Sequence, residues 1–597
     1  MSKTVRKSIL TLWKNDQEEC DRVYIALYRL QTEGRVAYRR LVGMHGGGGG
    51  TSDANHLAYL TAKMEADKLQ GHYHDGFPLD TVWPGAVPNA AYPETITSIG
   101  TNEAFAYTFC WHGSAPFIVW HRPLMAEFER NLQVYDPKFK DETDTTNQHE
   151  GPEALGAPYW GWEGWDGITL PIEVSTPMYT VKTNAWADKG YPQGSAFPNP
   201  FHRWFAPVSV EDQMNEVFPD LLNDANCTTR AGAFYDQNQQ HEFDWPTDMS
   251  DANSNTPSMY ENVMNAIANP VFMEFATKGS TQSDDETTAW GEGGGNTSIE
   301  NPHNLFHNRV GGTPFGGLQG RGNQFFFFDG VTTPERIQKA QEDDLDGVDY
   351  MQYYGTMTSN QSIFDPIFWL HHGNIERQLM SWQALHTEGD DGVVMPNDAL
   401  RATVIYPWTK PAQLYAGNES WNSPCDDTYN ATFGDWFDTS VLRYEYDALI
   451  QPDVSANVTT ASSATAFGFG GLPMLKAIIK GAVEAEPIRI MVEIERKHYR
   501  TGDFRLFCNG KLVGSDSVFS AQGTPCGRCR SGKSTRTLHY CVLDGVGSLD
   551  DVLSTISGGG FTLKRNRINV PYVAVKARAW HEGVSIFGKK PRKRSRK

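Results

Sequence analysis

The sequence predicts a mainly α protein: a large helical domain with long loops, followed by a smaller C-terminal domain built as a β-sandwich or barrel. Before residue 452, apolar residues recur at helical spacing between loops rich in Gly, Pro, Asn and Trp. Residues 452–471 have the Ser-, Thr-, Ala- and Gly-rich composition of a linker. Beyond them the apolar spacing changes to two, which is typical of β-strands.

These changes divide the 597-residue chain into four expected segments. They are a helical domain at 1–451, a linker at 452–471, a β-rich domain at 472–588 and a basic, disordered tail at 589–597. Within the β-rich domain, apolar and polar residues alternate in 488–495 and again in 573–578. Asn509-Gly510 stands between two apolar runs, which predicts a hairpin with a type I′ turn.

Charge and composition limit the possible partners. The formal net charge of −20 argues against nucleic acid or an anionic membrane as the main partner. The sequence contains no run of ~18 apolar residues, so we expect no transmembrane helix. Met1–Asp16 lacks the apolar core of a secretory signal. Eight cysteines in so long a chain do not suggest a disulfide scaffold. We therefore expect an intracellular, cytoplasmic protein with reduced thiols.

The first notable motif places two histidines in an apolar setting. His112 and His121 are nine residues apart, so on one straight helix, at about 100° per residue, they would lie on opposite faces. Pro116 also interrupts the segment between them. We expect His112 on a loop and His121 at the start of the following helix, with Pro123 in its first turn. Together they are two candidate metal ligands, too few for a site.

A second motif places His303 and His307 four residues apart, on one face of a predicted helix that ends at Gly311-Gly312. The glutamate of the HExxH motif is absent, which argues against a zinc protease. Taken alone, the pair is equally consistent with a polar helix face.

The third motif opens a helix whose Ile375, Leu379 and Trp382 form an apolar stripe. His372 lies one turn before Glu376. The spacing predicts that the Glu376 carboxylate holds the histidine ring, as acidic residues commonly do around metal-binding histidines.

Together the three motifs resemble the type 3 copper proteins, the family of tyrosinases, catechol oxidases and molluscan-type haemocyanins. Residues 112–129 fit the family's copper A pattern. Residues 365–372 fit its copper B pattern, Asp-Pro-x-Phe-aromatic-x-x-His, in which His372 is the ligand and His371 its neighbour. The resemblance covers the helical domain and implies a helical-bundle core that holds two copper ions.

The resemblance implies three histidines for each copper ion, and imidazole suits copper. The implied ligands are His112 and His121 with one upstream histidine at copper A, and His303, His307 and His372 at copper B. For the upstream ligand, His74 in Tyr73–Pro78 is closest to the family's His-Gly-x-Pro, with one extra residue, and His72 is the alternative.

Other features of copper A and copper B also follow from the resemblance. Cys110-Trp111-His112 matches the family's Cys-x-His, in which a thioether joins the cysteine sulfur to the histidine ring; the alternative is a buried, unmodified cysteine. Two positions depart from the family. Glu376 replaces an aspartate, and Gly161 replaces the acid of Pro-Tyr-Trp-Asp-Trp.

The implied activity is oxidation of small phenols by dioxygen: o-hydroxylation of monophenols and oxidation of o-diphenols to o-quinones. Glu300 and Asn304 match positions that hold a proton-accepting water in tyrosinases, and Asn308 matches a substrate-contacting position. The alternatives are a helix N-terminal charge for Glu300 and a solvated polar residue for Asn304. Whole-protein alternatives are a haemocyanin-like oxygen carrier and a catechol oxidase without monophenolase activity; a homo-oligomer is also possible.

The β-rich domain resembles the shielding domain of several fungal tyrosinases, which keeps the enzyme latent. Phe519 is the only aromatic residue of the loop 514–534 and would cover the coppers, while Cys526 and Cys529 form a C-x-x-C suited to loading Cu(I). The alternatives are a surface aromatic for Phe519 and half of a zinc site or a small disulfide for the cysteines.

Overall fold

A computed structural model describes about half of the helical region and a set of strands in the C-terminal region. The longer described ranges are 3–34, 115–139, 151–164, 170–204, 259–278, 293–311, 362–405, 408–416, 431–452, 488–495, 502–518, 535–542, 549–565 and 568–579. The shorter ones are 37–38, 41, 45, 87–88, 96–98, 230 and 357. The predicted linker beyond residue 452 and the basic tail lie outside these ranges.

Helices dominate the described residues before 452. The α-helices whose bounds fall within the described residues are α1 (Ile9–Asn15), α2 (Gln17–Thr32), α3 (Pro116–Val134), α4 (Ile172–Ser175), α5 (Met259–Ala268), α6 (Phe272–Ala276), α7 (Glu300–Gly311), α8 (Ile367–Leu385), α9 (Asp398–Arg401), α10 (Pro411–Tyr415), α11 (Phe433–Phe437) and α12 (Leu549–Ser557). All but α12 precede residue 452, and the two longest, α3 and α8, contact each other in the core.

Helix α3 begins earlier than the sequence predicts. It starts at Pro116, so His121 lies in its second turn and Pro123 is inside the helix instead of in its first turn. Proline is well suited to the first helical position because its missing N–H would have no intrahelical acceptor there. The break expected at Pro116 thus takes the form of a helix start, whereas the expectation of Pro123 in the first turn was wrong.

The helical region also contains short strands. They are β1 (Thr4–Arg6), β2 (Val87–Pro88), β3 (Ile96–Ser98), β4 (Met178–Thr180), β5 (Ala196–Pro198) and β6 (Tyr444–Tyr446). Strands β1 and β6 pair in parallel, which joins the two ends of the helical region. The Arg6 guanidinium lies 3.4 Å from the centroid of the Tyr444 ring.

The C-terminal part consists of two antiparallel sheets around their own apolar core. Its strands are β7 (Ile488–Glu495), β8 (Gly502–Cys508), β9 (Lys511–Val518), β10 (Thr535–Val542), β11 (Phe561–Arg565), β12 (Ile568–Val570) and β13 (Tyr572–Ala579). One sheet has the order β10-β7-β13 and the other β12-β11-β8-β9. The predicted fold class, a mainly helical core followed by a small β-domain, is confirmed.

The alternation in β7 and the hairpin are as predicted. Ile488, Ile490, Val492 and Ile494 are buried. Asn509 and Gly510 have φ angles of 49° and 81°, the left-handed values that a type I′ turn requires. The alternation predicted for 573–578 fails at its first position. Val573 is 56 % exposed because a register shift interrupts the pairing of β13 with β7 there.

No helix among the described residues has both the length and the apolar composition that a membrane crossing needs.

Candidate metal centre

Histidines from four segments converge in the core of the helical region. His45 approaches from the N-terminal side, His121 from α3, His303 and His307 from α7, and His371 and His372 from α8; all are buried. The polar-face interpretation of the His303/His307 pair is therefore wrong, because neither side chain reaches solvent.

The rings form two adjoining groups that share His372. His303, His307, His371 and His372 make up one group, and His45, His121 and His372 the other. Within each group, one ring nitrogen from each histidine lies within 4.8 Å of those of the others. The His121 and His372 rings stack with their centroids 4.2 Å apart, which brings α3 and α8 together at the boundary between the groups.

Hydrogen bonds fix the tautomer of three of these histidines. The Nδ1–H of His121 donates to the Phe117 carbonyl and that of His307 to the Met357 carbonyl, each at 2.8 Å. The Nδ1–H of His303 donates to Oδ1 of Asn304 at 2.9 Å. A carbonyl oxygen can only accept, so in each ring the lone pair available to a metal is on Nε2.

The donor set fits copper. Every candidate ligand in the two groups is an imidazole, without the carboxylates that Mg²⁺ and Ca²⁺ favour. Burial lowers the pKa of His371 and His372 well below the ordinary value, and neighbouring histidines add to both shifts. The rings are therefore neutral, which is the form that binds metal. Neither ring nitrogen of His371 or His372 has a hydrogen-bond partner among the described residues.

Glu376 does not hold His372, contrary to the sequence prediction. Its Oε1 accepts hydrogen bonds from Arg122 Nε and from the Tyr444 hydroxyl, both at 2.9 Å, and its Oε2 accepts one from Arg6 at 3.2 Å. Three buried donors thus hydrogen-bond this carboxylate at the same time. The His372 ring is oriented by packing instead. Its nearest described ring neighbour is Phe368, with centroids 4.0 Å apart.

The three residues assigned to proton transfer and substrate contact lie on α7. Glu300 begins this helix and is 1 % exposed; its Oε2 accepts hydrogen bonds from the Lys278 peptide N–H at 3.1 Å and from the Thr277 hydroxyl at 3.2 Å. Asn304 is buried against His303, so the solvated alternative is wrong. The Asn308 side-chain amide donates to the Val518 carbonyl of β9 at 3.3 Å.

Several predicted site residues lie outside the described ranges, and they stay predictions. They are His72, His74, Cys110, His112, Phe519, Cys526 and Cys529.

His45 is the candidate ligand that sequence reasoning missed. A signal was present, because Met44-His45-Gly46 supplies an aliphatic residue, a histidine and a glycine with no extra residue between them. The glycine run that follows, residues 46–50, lacks the proline of the family's His-Gly-x-Pro.

Comparisons with known proteins agree with this centre. The family model for the common central domain of tyrosinase matches residues 37–385, more than half of the chain. A tyrosinase of Aspergillus fumigatus is 22% identical over 327 residues, which cover 49% of this chain and 48% of that protein. A tyrosinase of Hahella sp. is 22% identical over 331 residues, covering 53% and 52%. The chain thus spans about half the length of these curated relatives.

Among solved structures, a recombinant mushroom tyrosinase has a similar fold. It is 16% identical, with a TM-score of 0.50, and the superposition covers 97% of this chain and 92% of that one. At this identity the likeness concerns the fold alone. The family match over 37–385 encloses both histidine groups, and the chain belongs to the tyrosinase family.

Proposed function

We propose that this protein oxidises phenols with dioxygen, hydroxylating monophenols at the ortho position and converting o-diphenols to o-quinones. The observation that carries the proposal is a pair of buried, all-imidazole groups sharing His372, with a buried carboxylate, Glu300, at the start of the helix that supplies His303 and His307. Two copper ions bound there would supply dioxygen binding and two-electron oxidation. The two curated relatives, both tyrosinases, support the same class of activity.

The ligand assignment combines the motifs with the geometry. His303, His307 and His372 hold one copper ion. His121, His112 and one upstream histidine hold the other, and His45 takes the upstream place because its ring lies beside His121, with centroids 5.4 Å apart. His74 is the alternative that the sequence motif favours. A thioether from Cys110 would fix the ring of His112, and an intact-peptide mass tests for it.

Glu300 is the group we assign to accept the phenol proton, through a bound water. It lies one turn before His303, and two hydrogen bonds to Oε2 fix the orientation of its carboxylate. Asn304 orients His303 through Nδ1. A positioned carboxylate beside a metal-bound phenol can act as a general base, and only monophenol hydroxylation needs this extra proton acceptor.

The β-domain is proposed to keep the enzyme latent. Strand β9 lies against α7, and its last residue, Val518, accepts a hydrogen bond from Asn308, the candidate substrate contact. Phe519 follows directly in the chain and is the residue we assign to the lid. Cys526 and Cys529 are assigned to copper loading; replacing both with serine should slow copper uptake by the metal-free protein but leave preloaded enzyme active.

The test is quinone formation from tyrosine and from a catechol by copper-loaded protein, before and after cleavage within 452–471. Quinone from both substrates, faster after cleavage or with Phe519→Ala, is expected. Quinone from the catechol alone would identify a catechol oxidase. Reversible dioxygen binding without quinone, even after cleavage, would identify an oxygen carrier. Equal rates before and after cleavage would overturn latency.

A further inference from the structure

The β-domain is attached to the catalytic region at both ends of helix α7. Near the C-terminal end of α7, the Asn308 side chain donates a hydrogen bond to the Val518 carbonyl. At the N-terminal end of α7, Lys278 contacts Glu300, the first residue of the helix. The Lys278 ammonium also forms an ion pair with Asp516, which lies two residues before Val518 on β9. Both partners are nearly buried, with side-chain exposures of 10% and 3%. This ion pair joins the helical region to the β-domain.

Lys278 also holds the candidate base. Its peptide N–H donates to Glu300 Oε2 at 3.1 Å, while its side chain reaches Asp516. Its carbonyl accepts a hydrogen bond from Gly295 at 2.8 Å, so the segment is held in place on the helical side as well. One residue therefore contacts the β-domain through its side chain and the catalytic carboxylate through its backbone.

The surroundings of Lys278 show a close fit between the two parts. Arg489 of β7 donates to the Gly293 carbonyl at 2.9 Å. At Gly295, where φ is +60°, a Cβ atom would lie only 2.7 Å from the His539 carbonyl of β10. The backbones of the helical region and the β-domain thus approach too closely for a larger residue, and Lys278 and Asp516 meet beside this contact.

We propose that the Lys278–Asp516 ion pair is the latch that holds the β-domain on the catalytic region, and that Lys278 links the docked state to the position of Glu300. The link to catalysis and latency rests on the proposed function; the latch itself does not. Removing one partner of a buried ion pair takes away the charge that offsets the desolvation of the other, so either single substitution should weaken docking strongly.

The experiment uses full-length protein with one engineered protease site in the predicted linker, 452–471. After cleavage, size-exclusion chromatography over a dilution series gives the dissociation constant of the two fragments. Asp516→Asn should raise this constant at least about a hundredfold. The control Glu493→Gln makes the same carboxylate-to-amide change in an ion pair within the β-domain, whose partner Lys576 is half-exposed, and should not change it.

A second variant covers the case in which Asp516→Asn misfolds. Lys278→Met should weaken docking similarly. The double variant should lose less binding free energy between the fragments than the two single variants lose together, because each substitution removes the same interaction. Additive effects, or docking in Asp516→Asn as tight as in the wild type, would overturn the latch.

Hydrogen exchange tests the link to Glu300 without an activity assay. In uncleaved Asp516→Asn, the Lys278 amide should exchange faster than in wild type and in Glu493→Gln. Unchanged exchange would overturn the link. If docking weakens and exchange rises while the rate of phenol oxidation stays constant, the latch stands and the proposed latency is wrong.

Discussion

Arg122 and Glu376 join the two helices that carry histidines of different groups. Arg122 Nε donates to Glu376 Oε1 at 2.9 Å, and both side chains are fully buried. Arg122 directly follows His121 on α3, and Glu376 lies one turn after His372 on α8. The ion pair therefore fixes the spacing of the two helices beside the histidines that are candidate metal ligands.

Glu376→Gln should destabilise the protein even without metal. The change removes the carboxylate charge that offsets the buried Arg122 guanidinium, while Arg6 keeps its ion pair with Glu129. Breaking such a buried pair costs about 3–5 kcal/mol. Urea unfolding of copper-free protein measures this. The exposed-pair variant Glu493→Gln should change the free energy of unfolding by about 0–1 kcal/mol. Similar values for the two variants would mean that the buried pair is not structural.

His45→Ala should remove one copper ion per chain, because its ring lies with those of His121 and His372. Metal analysis of copper-loaded protein gives the count. His74→Ala is the matched control and should keep both ions. If His74→Ala loses a copper and His45→Ala does not, the sequence motif identified the ligand correctly and the placement of His45 has another meaning.

Glu300→Gln should slow monophenol hydroxylation by about 10²-fold or more while changing catechol oxidation much less, because only the first reaction needs an extra proton acceptor. Asn304→Ala should act in the same direction through His303. Initial rates with tyrosine and with a catechol, measured on the same preparation, decide the question. Equal losses on both substrates would indicate a structural role for these residues.

His539 should make the protein less stable in acid. Burial, with the positive charges of Arg489, Arg578 and Lys278 around it, lowers the pKa of His539 from 6.5 to about 3. Of these cations, Lys278 forms an ion pair with Asp516. Because the folded-state pKa lies below the unfolded value, the contribution of the neutral ring is complete above pH 6.5 and is lost as the pH falls towards 3.

Urea unfolding of wild type and His539→Gln at about pH 7.5 and about pH 4.5 measures this contribution. The wild type should lose more stability than the variant between the two values. Other buried histidines, such as His371, His372 and His386, are shared by both proteins, so the difference isolates His539. The same pH dependence in both proteins would contradict the assignment.

The sequence predicts the fold class and the pairing of histidines on one helix well, because both depend on local patterns; the convergence of the three motifs was implied only by their resemblance to the type 3 copper proteins. Spacing placed His303 and His307 on one helix face, and Asn509-Gly510 specified a turn that only positive φ angles satisfy. These features need no knowledge of distant neighbours.

Features that depend on distant contacts were predicted poorly. The spacing of His372 and Glu376 suggested a hydrogen bond between them, but Arg6 and Arg122, distant in sequence, take the carboxylate. Gly161 lacks the acid expected there, yet Glu163, two residues later, forms an ion pair with Arg377 of α8. Such substitutions of one partner by another become visible only when the tertiary contacts are known.

The central claim is that the two histidine groups form a site for two copper ions in which His372, shared by both groups, is a ligand and its neighbour His371 is not. Copper content and dioxygen-dependent absorbance of copper-loaded His372→Ala, measured beside His371→Ala, test it most directly. We predict that His372→Ala loses copper and no longer binds dioxygen. His371→Ala should keep two coppers and bind dioxygen, because the His371 ring stacks on Phe306. Retained dioxygen binding in His372→Ala, with its loss in His371→Ala, would contradict the assignment.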